Sequence, residues 1–125
     1  MKFIKRFLFK RKVLNDLQRA AWQHNINAAY SEAVVPDLET LKKAERGKNE
    51  ERKNKIANLE NSASYNSRQE RKALEAEVEA SEGKIKELDR QIEAVRREAQ
   101  TFRAQSAEKL TRREFFKKVF MRECK

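Results

Sequence analysis

Apolar and polar positions follow helical spacing along most of this chain. Between residues 13 and 35 the apolar positions are three, four or seven residues apart, which places them on one face of an α-helix. These positions are Leu14, Leu17, Ala21, Ala28 and Val35. Pro36 suits the first turn of a following helix. The pattern therefore predicts a first helical arm, residues 13–60, that is broken near Pro36.

The middle of the chain holds a polar stretch and then a turn signal. Residues 42–55 contain only Ala44 as an apolar side chain, but Lys, Glu and Arg dominate, which favours a solvated helix over a break. Residues 61–67 read Asn-Ser-Ala-Ser-Tyr-Asn-Ser and predict a turn. Ser67 and Glu70 match a capping box, which predicts that a new helix begins there.

The clearest periodicity lies in residues 68–110, where apolar or small side chains alternate at spacings of four and three. We call these positions the seam: Leu74, Val78, Ser81, Ile85, Leu88, Ile92, Val95, Ala99 and Phe102. Acidic and basic residues flank them, which is typical of a coiled coil. Thr111 and Glu114 form a second capping box, which predicts a separate helix within residues 111–125.

These elements predict an all-α fold, since two Gly and one Pro are too few for the turns of a β or α/β domain. We expect an elongated helical coiled-coil hairpin with antiparallel arms at about 3–60 and 67–123, and with short basic amphipathic helices at its ends. The alternative is an extended chain that forms a parallel dimer through its seam. Either arrangement covers an apolar stripe that a lone helix would leave in water.

The charge is concentrated at the two ends of the chain. With 30 Lys and Arg against 20 Asp and Glu, the net charge is +10. Residues 1–12 hold six basic residues and no acidic one, and residues 109–125 hold seven basic and two acidic ones. Six of the seven Phe also lie in these ends. The distribution predicts an anionic partner, either nucleic acid or an acidic membrane surface.

The two ends share an eight-residue pattern of apolar and basic positions, Phe3–Lys10 and Phe115–Arg122. We expect the following cations to bind nucleic acid or another anionic surface: Lys2, Lys5, Arg6, Lys10, Arg11, Lys12, Arg112, Arg113, Lys117, Lys118 and Arg122. The apolar anchors would be Phe3, Phe7, Phe115, Phe116 and Phe120.

Three interpretations of the ends remain open. Their apolar faces pack on each other and the charges keep the chain soluble, or the cations bind nucleic acid while the faces contact partner proteins. In the third, the faces enter an anionic bilayer. We expect a non-catalytic structural or adaptor subunit of a larger, ribosome-like or virion-like assembly. The alternative hypotheses are a peripheral membrane adaptor and a homo-oligomer, namely a homodimeric spacer with no anionic partner.

Catalytic and metal chemistry have little support in the sequence. No phosphate loop, nucleophile elbow or metal motif is present, and His24 is the single histidine. We therefore expect no enzyme activity, no cofactor and no metal site. The lone Cys124 forms no internal disulfide, which favours a reducing compartment such as the cytoplasm, an organelle matrix or the inside of a virion. No apolar run approaches the length of a membrane span.

Overall fold

Three helices account for nearly all of the residues that the computed structural model describes, which are residues 2–123. They are α1 (Lys2–Ala33), α2 (Val35–Leu59) and α3 (Tyr65–Glu123), and residues 2–123 contain no strand. The all-α fold class is confirmed. The prediction that concerns Cys124 falls outside the described residues.

The interruption between α1 and α2 is short. Pro36 has no N–H to donate to the carbonyl of Glu32, as an unbroken helix would require, and it lies in the first turn of α2. Helical bonding resumes at once, because the Leu38 N–H donates to the Val34 carbonyl at 3.2 Å. The polar residues 42–55 belong to α2, so this stretch is helical rather than a break.

Residues 60–64 connect α2 to α3, and the helix cap differs from the predicted one. The Ser64 hydroxyl accepts a hydrogen bond from the Ser67 backbone N–H at 3.2 Å, so Ser64 caps α3 and Tyr65 is its first residue. The prediction that a capping box at Ser67 and Glu70 starts this helix is therefore wrong. A serine with the same capping chemistry lies three residues earlier and starts the helix first.

The predicted separate C-terminal helix is also wrong, because α3 continues through Thr111 to Glu123. The Thr111 hydroxyl donates to the Ala107 carbonyl at 2.9 Å, one turn earlier. Within a helix, a threonine hydroxyl can bond to the carbonyl four residues earlier. Thr111 does so and does not act as an N-cap.

The described residues divide into two compact units. The first consists of α1 with the part of α3 from Arg96 onward, and the second is Val34–Val95. In the second unit, α2 and residues 65–95 of α3 run antiparallel, as two pairs show: Lys42 with Asp89, and Arg52 with Glu77 at 3.3 Å.

Burial within the second unit follows the spacing of four and three residues. In this part of α3, the buried or half-buried positions are Ser67, Arg71, Leu74, Val78, Ser81, Ile85, Leu88, Ile92 and Val95. Ile92 is the large apolar residue among them with the least exposure, 4%. The six apolar seam residues predicted between positions 74 and 95 therefore all lie on the packed face of α3.

The packed face of α2 is polar at its centre, which the sequence did not predict. Asn49 is buried, and Lys42, Glu45 and Arg52 are half-buried at the same spacing of three and four. The Ser81 hydroxyl donates to Glu45 Oε1 at 2.6 Å, and Arg52 Nη1 donates to Asn49 Oδ1 at 3.2 Å. These contacts satisfy polar groups that are cut off from most of the solvent.

In the first unit, α1 and the last part of α3 are antiparallel. Arg103 forms a two-pronged ion pair with Glu32, at 3.0 and 2.7 Å, and its hydrogen bonds hold the pKa of the Glu32 carboxyl below its ordinary value. His24 stacks on Phe102 with 6.5 Å between ring centroids. Phe102, the remaining predicted seam residue, is half-buried. Three alanines complete the buried core: Ala21, Ala28 and Ala99.

Candidate docking surface at the basic end

Residues 2–12 form the start of α1 without a break, and they leave their large apolar side chains in contact with solvent. Phe3 is 78% exposed, and Ile4, Phe7, Leu8 and Phe9 are all more than half exposed. Phe3, Ile4, Phe7 and Leu8 follow one another at i, i+1, i+4 and i+5, which places them on one helical face. The amphipathic N-terminal segment is thus a helix whose apolar face is largely open.

The end of α3 presents a smaller apolar cluster. Phe116 packs edge-on against Phe115, with centroids 5.7 Å apart, and stacks with Phe120 at 5.9 Å. Phe116 and Phe120 are half-buried, whereas Phe115 and Met121 are more than 60% exposed. Of the five predicted anchors, three are therefore open to solvent and two serve chiefly in packing.

The two ends of the chain meet within the first unit. The Lys10 ammonium lies 5.3 Å from the centroid of the Phe120 ring, a cation–π contact. Beside it runs an open groove of about 390 Å³ with an almost wholly apolar floor. Its lining residues are Phe7, Lys10, Arg11, Leu14, Lys117, Phe120 and Met121. We call the described residues 2–14 and 112–122 together the basic end.

Most of the predicted cations of the basic end are open to solvent. Lys10 and Arg113 are half-buried, Arg112 pairs with Glu108 at 2.6 Å, and Arg113 approaches Glu114 at 3.7 Å. Eight others are exposed, and among the described side chains no acidic group forms an ion pair with them. These eight are Lys2, Lys5, Arg6, Arg11, Lys12, Lys117, Lys118 and Arg122. Positive charge from the two segments is thereby brought together at the basic end.

The start of α1 carries its cations where they stabilise the helix least. The N-terminus of a helix is the positive end of its dipole and favours nearby anions. No acidic residue occurs in the first turn of α1, while Lys2 and Lys5 lie there. An anion supplied from outside the chain would therefore be favoured by the helix dipole and the lysines together.

The sequence pattern identified part of this surface and missed another part. The shared pattern of the two ends includes Ile4 and Leu8, but only Phe side chains were predicted as anchors. The pattern gave no separate role to Met121, and Leu14 was assigned only to the α1 stripe. Both residues line the groove. The spacing of Phe7 and Leu14, one heptad apart, is the signal that places them on the same side of α1.

Two further features of the described part of the chain bear on function. Within residues 2–123, none of the helices is sufficiently long and apolar to traverse a membrane. The same residues contain no cluster of three His, Cys, Asp or Glu side chains placed to hold a metal ion.

Comparison with protein-family models, curated proteins and solved structures finds no match to this chain.

Proposed function

We propose that this chain is a non-catalytic structural or adaptor subunit of a larger macromolecular assembly, and that its basic end docks onto an anionic component of that assembly. The observation that carries the proposal is the meeting of the two chain ends, which the Lys10–Phe120 contact marks. Two basic segments, far apart in sequence, together present a surface that neither presents alone.

The remainder of the chain supports a spacer or scaffold in this proposal. We propose that the helices pack as an antiparallel coiled coil, because the less exposed positions of α3 alternate at spacings of four and three from Ser67 to Phe116. One elongated hairpin is the arrangement we favour over a parallel dimer. The ion pairs between α1 and α3 and between α2 and α3 support this choice.

Charge density supports an anionic partner. Each exposed Lys or Arg that contacts a polyanion releases bound counterions, so affinity falls steeply as salt is added. The basic end has eight exposed cations, so we expect its affinity for a polyanion to depend strongly on salt concentration. Cations that hold the fold together contribute less, because Arg112 and Arg113 already have carboxylate neighbours.

The test is binding to heparin, a polyanion that has neither bases nor acyl chains, at several salt concentrations. Three variants each replace three exposed cations: K5Q, R6Q and K12Q in α1; K117Q, K118Q and R122Q in α3; and K53Q, K55Q and K72Q as a control outside the basic end. All three variants lose the same net charge. The main difference between them is where the charge is removed.

We expect both basic-end variants to bind heparin at least tenfold more weakly and to lose affinity less steeply with salt. The control should retain most of its affinity. If the control and the basic-end variants weaken equally, binding reflects net charge alone and the proposal of a docking surface is wrong. Circular dichroism verifies that all three variants remain helical.

A further inference from the structure

The basic end exposes more apolar surface than binding to a polyanion requires. Phe3, Ile4, Phe7, Leu8 and Phe9 are 56–78% exposed on a single short stretch of α1. Contiguous exposed apolar patches on soluble proteins mark interaction sites, since their solvation is unfavourable. The partner must therefore offer an apolar layer as well as negative charge.

The aliphatic members of this patch distinguish between anionic partners. Unpaired bases stack well on aromatic rings, so Phe3 and Phe7 alone are compatible with nucleic acid. Ile4, Leu8 and Met121 have no ring on which a base could stack. They are nevertheless 60%, 56% and 63% exposed, respectively. The boundary between lipid head groups and acyl chains accepts aliphatic and aromatic side chains equally well.

The arrangement of charge fits the same boundary. Lys5 and Lys12 lie to one side of the apolar face of α1, whereas Arg11 follows Phe7 by one turn and lines the groove with it. An amphipathic helix that lies in a membrane surface has this division: its apolar face enters the lipid while Lys and Arg remain at the head groups. The groove between Phe7 and Phe120 adds a second apolar strip with Lys10 and Lys117 at its edge.

We propose that the basic end is an interfacial membrane-binding surface for anionic phospholipids. Ile4, Leu8 and the neighbouring Phe side chains enter the outer part of the acyl layer, and the exposed cations contact lipid phosphates and carboxylates. This inference rests on the proposed function and names the chemistry of its anionic partner. Among the described residues outside the basic end, the exposed large apolar side chains, such as Trp22, Tyr30 and Leu41, are isolated and form no comparable group.

The experiment measures binding of the full chain to vesicles of phosphatidylcholine with about 30% phosphatidylserine, in parallel with heparin and single-stranded DNA. The decisive variant is I4S together with L8S, which removes aliphatic surface and no charge. Its matched control is L41S together with Y65S, which removes two side chains that are 56% and 74% exposed in the second unit. A fluorophore at position 3, introduced as F3C with C124S, reports the polarity around the apolar face at the start of α1.

We expect the I4S and L8S variant to bind acidic vesicles at least tenfold more weakly than the parent chain, with unchanged binding to heparin. The control should bind vesicles as the parent does. The fluorophore should shift to shorter wavelength on acidic vesicles and remain unshifted on pure phosphatidylcholine, since the cations require anionic lipid.

Two results overturn the proposal, and they have different meanings. If the chain binds heparin and DNA but not acidic vesicles, or if I4S and L8S leave vesicle binding unchanged, the lipid inference fails and the docking surface stands. If the chain binds none of the three anionic probes, the proposed function fails as well.

Discussion

Truncation of Ile92 tests the packing between α2 and α3. Ile92 is 4% exposed and lies at a position of the spacing of four and three that defines the packed face of α3. Replacing a buried Ile by Ala costs about 2–5 kcal/mol, depending on how far the surroundings collapse into the space. A core between two helices is one layer deep, so neighbouring side chains and water relax readily. Alanine also has the higher helix propensity. We therefore expect Ile92→Ala to lower the free energy of unfolding by about 2 kcal/mol.

The matched control for Ile92→Ala is Leu41→Ala in α2. Leu41 is 56% exposed, so its truncation should cost no more than about 0.5 kcal/mol. Urea unfolding followed by circular dichroism at 222 nm measures both changes, at several protein concentrations so that any association is detected. If Ile92→Ala costs no more than Leu41→Ala, the less exposed positions of α3 do not form the core and the packing argument is refuted.

Three contacts outside the core give further predictions. Ser64→Ala should destabilise the chain by about 1 kcal/mol in urea unfolding, because a backbone N–H of the first turn of α3 loses its cap. The hydrogen bond from Ser81 lowers the pKa of Glu45, so the ionised carboxylate stabilises the fold above the ordinary pKa of 4.5 and this contribution is lost as the pH falls below it. Ser81→Ala should raise that pKa in a carbon-13 NMR titration, and an unchanged value would contradict the assignment. A double-mutant cycle on Glu32 and Arg103 should show a coupling that shrinks in about 1 M salt, since both groups are exposed.

The sequence predicted the helices and the packed face of α3 well, because both depend on local spacing. Alternating spacings of four and three residues can be recognised in a sequence wherever apolar side chains occupy these positions, as from Leu74 to Phe102. In α2 the same spacing is filled by Lys42, Glu45 and Asn49, and polar residues there are indistinguishable from a solvated face. Only the position of the facing helix shows that they are shielded.

The two helix starts were mispredicted for a related reason. A capping box at Ser67 or Thr111 satisfies backbone groups only if a helix begins there. Ser64 precedes the first and caps α3 instead, and the second lies where α3 already has its intrahelical bonds. Local chemistry thus identified residues able to cap, whereas the continuity of α3 decided which of them do.

The most direct test of the docking surface is the distance between the two chain ends in solution. Spin labels at K12C and K118C, in a C124S background and diluted with unlabelled chain, report this distance within one molecule. Since Lys10 contacts Phe120, we predict a separation below about 25 Å, because each label lies within two residues of that contact. In an extended chain, the stretch of α3 from Tyr65 to Lys118 alone would span about 80 Å, and the labels would lie at least that far apart. Such a distance would contradict the joining of the two cationic ends into one surface.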